Sequence, residues 1–175
     1  MIRITTPRLH IRDWLPADLP HWHRLFSDTQ NMCFVEHLQC HSLAESRKHL
    51  QSAVDAASDT PRVKYFFALE LRSTNEFIGS IGFMTEQKGD DLWGNVGWFL
   101  FPEHQGHGYV SEAFATLIPR MFEDWGVAVI DAGCNAANKA SERIMQKCGM
   151  ALVRQHDDRL DYQLKKEDWE ELLCH

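Results

Sequence analysis

The segment with the clearest chemical potential is Gln105-Gly-His-Gly-Tyr-Val110, which lies between a strand-like run and a strongly helix-like run. Glycines at positions 106 and 108 let the backbone turn tightly and approach a ligand with no Cβ in the way. The first turn of the following helix would add free N–H groups at the positive end of the helix dipole. Such an arrangement binds phosphate or pyrophosphate. The alternative is a glycine turn that serves packing alone.

Two better-known phosphate loops are excluded by the spacing of the glycines. The chain contains no GxxxxGK[ST] sequence, so the loop is not a P-loop. A GxG without a third glycine, placed well into the second half of the chain, is a poor match to the dinucleotide-binding fingerprint.

Cysteine and histidine patterns do not indicate another kind of site. The five cysteines form no CxxC pair, which favours free thiols in a reducing compartment over disulfides. The ten histidines provide no ligand set at zinc-like spacing, so we expect no metal. Cys134 and Cys148 fall in apolar runs, where a cysteine is expected to be a core residue rather than a nucleophile.

Length and charge restrict the class of protein. A chain of 175 residues suits one domain with a substantial core, so we predict a single domain over residues 1–175. The formal net charge of −7 argues against nucleic acid as a partner. No apolar run approaches the ~20 residues that span a bilayer, and we see no export signal. We therefore expect a cytoplasmic protein with no membrane partner.

The loop is followed by the strongest helical pattern in the chain. Apolar residues recur at helical spacing for about four turns and stop at Gly126, a typical C-terminal glycine. They are Val110, Ala113, Phe114, Leu117, Ile118, Met121, Phe122 and Trp125. Pro119 should remove one hydrogen bond and bend this helix.

The other elements indicate a mixed α/β sheet. Before the loop we predict a strand over 8–14, helices over 16–26 and 42–57, and a three-stranded meander over 65–71, 77–84 and 95–101. A polar loop is expected over 86–91. After the long helix we predict a strand over 127–134, a helix over 138–149, strands over 151–155 and 159–164, and a final helical turn over 168–173.

Several segments, taken together, resemble the GNAT acetyltransferase superfamily and, within it, the RimJ/RimL-like branch, which acetylates protein N-termini and other amines. The matching segments cover nearly the whole chain: Thr6-Pro-Arg-Leu-His-Ile-Arg12, Ile78-Gly-Ser-Ile-Gly82, Val96-Gly-Trp-Phe-Leu-Phe-Pro-Glu103, Gln105-Gly-His-Gly-Tyr-Val-Ser-Glu-Ala113, Asn138-Lys-Ala-Ser141 and Gln146-Lys-Cys-Gly-Met150. The resemblance implies one GNAT-like α/β (α+β) domain. Its mixed, mostly antiparallel sheet would have about seven strands, be flanked by helices and be splayed at an acetyl-CoA site.

The resemblance also implies the reaction and its binding residues. Acetyl-CoA would be the co-substrate, and the acceptor a primary amine on a protein N-terminus or a small molecule, attacked directly. Backbone N–H groups would hold the pyrophosphate at Gln105, Gly106, His107, Gly108, Tyr109 and Val110. Phe99, Leu100 and Phe101 would flank the pantetheine arm, with a main-chain N–H near Phe99 or Leu100 as the oxyanion donor; of these we assign Leu100. Asn138 would hydrogen-bond the arm, cap a helix, or do both.

The sequence departs from the family where proton transfer is concerned. Met145 stands where many members carry a tyrosine acid, which makes Ser141, on the same helical stripe, the candidate donor to the thiolate. Its alternative role is a small residue that allows close packing. Asn95 stands where many relatives carry a glutamate base; it cannot accept a proton but could position a water. The residues identify no base.

Other readings remain open at this stage. The chain could be a catalytically inactive CoA-binding regulatory module, or a structural subunit with no ligand. It could be a monomer or a homodimer, and the acceptor amine is undetermined. Trp22, Phe34 and Trp93 could line an acceptor pocket, or they could be surface aromatics that support the core.

Overall fold

The computed structural model describes residues 1–174, which form eight strands and six helices. The strands are β1 (Arg3–Thr5), β2 (Leu9–Asp13), β3 (Lys64–Leu71), β4 (Phe77–Lys88), β5 (Asp91–Leu100), β6 (Val129–Asn135), β7 (Ala151–His156) and β8 (Arg159–Lys165). The helices are α1 (Leu19–Ser27), α2 (Thr29–Met32), α3 (Leu43–Ala56), α4 (Tyr109–Glu123), α5 (Lys139–Lys147) and α6 (Lys166–Leu173). Short 3-10 turns occur at Pro16–Asp18, Glu36–Leu38 and Pro102–His104.

The strands form one sheet in the order β1-β2-β3-β4-β5-β6-β8-β7. Strands β5 and β6 pair in parallel, whereas β1 with β2, β2 with β3, β6 with β8, and β7 with β8 pair antiparallel. The mixed, mostly antiparallel sheet is therefore confirmed, with eight strands rather than about seven. The additional strand, β1, is only three residues long with one buried side chain, too short for a period-2 pattern to reveal.

The parallel pairing of β5 with β6 is short. It joins Trp93 with Val129 and ends with Asn95 beside Asp131, although β5 continues to Leu100 and β6 to Asn135. A brief parallel contact between strands that both continue beyond it agrees with the expected splayed sheet.

The predicted loop over 86–91 was wrong. Strand β4 continues to Lys88 and β5 begins at Asp91, so only Gly89 and Asp90 turn the chain. Gly89 has φ +62°, the left-handed conformation that a two-residue hairpin turn requires. The polar residues that suggested a loop are exposed positions at the end of a long strand.

The chain divides into two compact units, of which the first comprises residues 1–82 and 98–113. An aromatic cluster dominates its core. Trp14 packs edge-on against Trp22 with ring centroids 4.8 Å apart, and Phe77 packs against Phe101 at 5.5 Å. Helix α3 begins as predicted, because the Ser42 hydroxyl accepts a hydrogen bond from the Glu45 N–H at 3.1 Å.

The second unit comprises residues 83–97 and the described residues from 114 onward. Its buried side chains include Met121, Ile130, Met145 and Leu164. The long helix α4 spans both units and buries the apolar face that its sequence predicted, with Pro119 inside it. Of the helices described in residues 1–174, none combines the length and apolar character that a membrane crossing requires.

Candidate functional site

The glycine loop is tied to the end of β5 within the first unit. The Phe101 N–H donates to the Ile78 carbonyl at 3.0 Å, which fixes the point where the strand ends. After the 3-10 turn at Pro102–His104, the Gln105 side chain donates from Nε2 back to the Leu100 carbonyl at 3.2 Å. These two bonds set where the loop starts relative to the strand.

The loop itself has the backbone of an anion site. Gly106 and Gly108 both have φ +77°, a conformation that exposes successive N–H groups and that side chains with a Cβ disfavour. Within residues 1–174, the main-chain N–H groups from Gly106 to Val110 have no recorded acceptor. The Gln105 N–H differs from our expectation, since it donates to the Pro102 carbonyl at 3.2 Å. Five consecutive donors therefore remain for a ligand.

A carboxylate lies in the first turn of α4 and is held from the N-terminal segment of the chain. Glu112 accepts hydrogen bonds from the Thr6 hydroxyl at 2.5 Å, from the Arg8 N–H at 2.9 Å and from the Arg8 Nε at 2.5 Å. Burial alone would raise the pKa of Glu112, but these hydrogen bonds outweigh it and leave the pKa below its ordinary value of 4.5. Glu112 is therefore ionised at neutral pH.

The strand end offers one main-chain donor that is directed away from β4. Successive N–H groups along a strand point to opposite edges, and the Phe101 N–H points to β4. The Leu100 N–H therefore points to the other edge of β5. An ideal Cβ on Gly79 would overlap the Phe99 carbonyl, so a glycine is needed for β4 to approach β5 this closely.

In the second unit, Asn138 caps α5 and Ser141 lies in the first turn of that helix. The Asn138 Oδ1 accepts a hydrogen bond from the Ser141 N–H at 3.1 Å, so the predicted N-cap is confirmed. Ser141 is partly buried, whereas Met145, one turn later, is fully buried. A methionine at this depth is part of the core and has no proton to donate.

Asn95 is hydrogen-bonded to a carboxylate that the sequence did not single out. Its Nδ2 donates to Asp131 Oδ2 at 3.0 Å across the β5–β6 pair. The second oxygen, Oδ1, is shielded from solvent and has no hydrogen-bond partner among the described residues. The pair places an acid group directly beside Asn95, on the neighbouring strand.

Cys134 and Cys148 are not activated as nucleophiles. Burial raises the pKa of Cys134 and raises that of Cys148 to about 11. Neither thiol is ionised at neutral pH. Cys134 is buried, as expected of a core residue, whereas Cys148 is only partly buried. Within residues 1–174, no group of three or more histidine, cysteine, aspartate or glutamate side chains could hold a metal ion.

The three aromatic residues suggested for an acceptor pocket differ in placement. Trp22 lies in the first unit's core and is only 7% exposed, which favours the second of its two roles, support of the core. Phe34 is 46% exposed in the segment between α2 and α3. Trp93 is half-buried in the second unit, with the Lys88 ammonium 4.2 Å from its ring centroid.

Sequence reasoning missed the structural roles of Thr6, Arg8, Glu112 and Asp131. Thr6 and Arg8 did stand out as part of a quoted motif, but no contact partner could be assigned to them without the fold. Glu112 follows the loop directly, and an acid in a first helical turn is common on helix-dipole grounds alone. Asp131 gave no signal, because it alternates with apolar residues in an ordinary strand.

A sequence model described as "Acetyltransferase (GNAT) domain" matches residues 8–151. The uncharacterized N-acetyltransferase YnaD of Bacillus subtilis (strain 168) is 28% identical over 149 residues, covering 85% of this chain and 82% of YnaD. Three further curated relatives match over shorter stretches, and the chain spans about half of their length (46%, 47% and 48%).

Solved structures share the fold. A RimL ribosomal L7/L12 alpha-N-protein acetyltransferase in complex with coenzyme A aligns with a TM-score of 0.79 and 17% identity, covering 94% of this chain and 98% of that chain. A spermidine N-acetyltransferase from Vibrio cholerae, in complex with CoA and spermine, aligns with a TM-score of 0.78 and 15% identity. That alignment covers 93% of this chain and 98% of that one. At these identities the likeness extends to the fold alone.

Proposed function

The chain belongs to the GNAT acetyltransferase family, and from this premise we propose that it is an enzyme that transfers the acetyl group of acetyl-CoA to a primary amine. The proposal treats residues 1–175 as one acetyltransferase domain. The acceptor is either a protein N-terminal amine or a small-molecule amine. These are the two acceptor types in the names of the RimL and spermidine N-acetyltransferase structures.

The observation that carries the proposal is the loop from Gly106 to Val110. Its five N–H groups lack acceptors among residues 1–174, two of its residues have positive φ, and it opens a long helix. A pyrophosphate fits such a site, because its oxygens accept from several adjacent N–H groups and its charge is favoured by the helix dipole. The donor set thus suits the CoA pyrophosphate.

When bound, acetyl-CoA supplies an acetyl thioester that an amine can attack. The main contribution of the chain is a fixed main-chain donor for the oxygen on which negative charge develops. We assign this to the Leu100 N–H, because it points away from β4 and the Gln105 side chain anchors the adjoining carbonyl. Such a donor is worth about 3–4 kcal/mol in related acyl transfers. Phe99 precedes Leu100 on β5, and Phe101 directly follows the end of that strand.

We assign proton removal from the amine to the Asn95–Asp131 pair. An alkylammonium with a pKa near 10 must lose a proton before it attacks. Asn95 cannot accept that proton, but Asp131 is a carboxylate: its Oδ2 accepts from Asn95, and its Oδ1 has no donor in the part of the chain that the structure describes. Asn95 would orient the carboxylate and a bridging water, and Asp131 would take the proton.

Ser141 remains the candidate acid for the departing thiolate, and Asn138 the candidate partner of the pantetheine arm. Ser141 is partly buried in the first turn of α5, and its N–H donates to the Asn138 cap. A thiol with a pKa near 8.5 is a tolerable leaving group, so we expect this acid to accelerate the step moderately rather than to be essential.

A CoA-binding regulatory module without catalysis is the second candidate. The feature that favours it is the replacement of two common proton-transfer residues, with Met145 fully buried and Asn95 unable to act as a base. Both candidates bind CoA through the same loop, so they differ only in turnover.

The test is thiol release from acetyl-CoA in the presence of N-terminal peptides, polyamines and amino acids, with CoA binding measured by calorimetry. Ser141→Ala is assayed beside the wild type. Turnover with one amine class supports the enzyme and identifies its acceptor, and a roughly tenfold or larger loss in Ser141→Ala supports the acid role. CoA binding without turnover for any amine would support the regulatory module.

A further inference from the structure

The motif Thr6-Pro7-Arg8, at the start of the chain, contacts the glycine loop rather than only its own sheet. The Arg8 Nη1 donates to the His107 carbonyl at 3.0 Å, and its Nε donates to Glu112 at 2.5 Å. The guanidinium carbon lies 4.7 Å from the centroid of the Tyr109 ring. One side chain therefore contacts three of the six residues from His107 to Glu112, on both sides of the helix start.

The carbonyl contact bears directly on the shape of the loop. His107 lies between the two glycines with φ +77°, and a hydrogen bond to its carbonyl fixes the peptide plane that joins it to Gly108. The orientation of that plane also determines where the Gly108 N–H points. Arg8 Nη2 lies on the same side, 3.7 Å from the position an ideal Cβ on Gly108 would take.

Because Arg8 pairs with the ionised Glu112, the charge of Arg8 is important as well as its hydrogen bond to the loop. An ionised carboxylate in the first turn of a helix competes with a phosphate for the positive end of the dipole. Its side chain is only 15% exposed, so water screens this charge poorly. The Arg8 guanidinium compensates the carboxylate and leaves the N–H groups of the loop to an anionic ligand.

We propose that Arg8 is a positioning residue for the CoA phosphates: it fixes the His107 peptide, neutralises Glu112, and so keeps the glycine loop ready for pyrophosphate. This inference rests on the proposed function. Thr6 completes the arrangement, because its hydroxyl and the Arg8 N–H both donate to the Glu112 Oε1 and hold the motif against the helix.

A purely structural role would look different in binding measurements. If Arg8 only fastened the N-terminal strands, its replacement would lower the melting temperature and would affect the reaction with every acetyl donor alike. If Arg8 prepares the phosphate loop, the loss of binding and activity should be specific to acetyl donors that carry the pyrophosphate. It should also depend on the charge of Glu112.

The test compares Arg8→Gln, the double variant Arg8→Gln/Glu112→Gln, and the control Arg120→Gln. Arg120 pairs with Asp124 at 3.3 Å on the same helix, and it is about as exposed as Arg8, at 46% against 47%. CoA binding is measured by calorimetry. Acetyl transfer to the amine identified by the panel is measured with acetyl-CoA and with S-acetyl-pantetheine, which lacks the pyrophosphate.

We expect Arg8→Gln to weaken CoA binding and raise the KM for acetyl-CoA by roughly tenfold, the effect of one lost charge-assisted hydrogen bond at a half-exposed site. The kcat of Arg8→Gln and its rates with S-acetyl-pantetheine should match those of the wild type. The control Arg120→Gln should match the wild type in every measurement. The double variant should recover much of the affinity. A glutamine at position 112 can still accept from Thr6 and the Arg8 N–H through its oxygen, but carries no charge.

Three results would overturn the inference. One is an equal loss of activity in Arg8→Gln with acetyl-CoA and with S-acetyl-pantetheine. Another is a lower melting temperature of Arg8→Gln with unchanged CoA affinity. The third is a double variant no better than Arg8→Gln. A wild type that binds no CoA would overturn the proposed function together with this inference, whereas any of these three results obtained with a wild type that binds CoA overturns the inference alone.

Discussion

The side-chain amide of Asn95 donates a hydrogen bond to Asp131, with 3.0 Å between its nitrogen and the carboxylate oxygen. The two residues stand directly beside each other in the parallel β5–β6 pair. Asn95 is exposed, while the remaining Asp131 oxygen is shielded and has no donor among residues 1–174. A carboxylate thus lies directly beside Asn95, on the neighbouring strand β6.

Asp131→Asn should lower the rate of acetyl transfer with little effect on CoA affinity. Loss of a general base costs about a hundredfold or more in rate, and the substitution keeps the size of the side chain. The measurement is kcat with the best amine at neutral pH, where most of that amine is protonated. Raising the pH should reduce the deficit, because a larger fraction of the amine is then already neutral.

Asp161→Asn is the matched control for this prediction. Asp161 lies on the neighbouring strand β8 and accepts hydrogen bonds from Arg154 and Arg159 at 3.0 and 2.8 Å. Its replacement by asparagine should leave kcat unchanged. If both variants lose activity equally, or neither does, Asp131 is not the proton acceptor.

Gly106→Ala should weaken CoA binding, because it strains the loop without creating a clash. Gly106 has φ +77° and an ideal Cβ there would meet no atom within 4 Å. The cost is therefore the left-handed backbone alone, about 1–2 kcal/mol for a residue with a Cβ. If the loop relaxes to relieve it, its N–H groups no longer converge, and calorimetry should record a several-fold rise in the Kd for CoA.

Gly126→Ala provides the same backbone strain at a different place. Gly126 has φ +69°, and an ideal Cβ on it also meets nothing within 4 Å, but it follows the C-terminal end of α4. The melting temperature of Gly126→Ala should fall about as much as that of Gly106→Ala, while the CoA affinity of Gly126→Ala stays at the wild-type value. Equal CoA affinity in both variants would argue against a phosphate role for the loop.

The elements that sequence predicted well are those with long regular patterns. Helix α4 repeats apolar residues over about four turns, and the Ser42 and Asn138 caps follow from local chemistry that needs no tertiary contact. Strand β1 was missed because three residues cannot establish a period. The β4–β5 turn was misplaced because polar residues at a strand end look the same as a loop.

Contacts between distant segments could not be predicted in this way. Arg8 and Glu112 are separated by 104 positions, and only the fold brings them together. The same is true of Asn95 and Asp131, which are 36 positions apart. The role of Trp22 was left open for a related reason, since an aromatic residue on a short amphipathic helix gives no sign whether its ring enters the core or a pocket.

Glu112→Gln should lose less unfolding free energy at acidic pH than the wild type does. The folded-state pKa of Glu112 lies below its ordinary value of 4.5, so its ionised form stabilises the folded protein. That contribution is fully present above about pH 4.5 and is lost as the pH falls through the lower, folded-state pKa. In urea unfolding from pH 7 to pH 3, the wild type should lose more stability below pH 4.5 than Glu112→Gln does.

Glu123→Gln, at an exposed position near the end of the same helix, is the control for this titration. Its unfolding free energy should follow the wild-type curve throughout. A Glu112→Gln curve parallel to the wild type across the whole range would mean that the hydrogen bonds from Thr6 and Arg8 do not favour the charged carboxylate.

Asn138→Ser separates the two roles considered for Asn138. Serine caps helices about as well as asparagine, so this variant should keep its melting temperature, whereas Asn138→Ala should lose about 1 kcal/mol of stability. Neither variant retains a side-chain amide for the pantetheine arm, so a binding role predicts a higher KM for acetyl-CoA in both.

Ser42→Ala is the control. It removes the cap of α3, which the Ser42–Glu45 bond provides, and should lose stability with no change in KM. An Asn138→Ser variant with wild-type KM would leave Asn138 as a helix cap only.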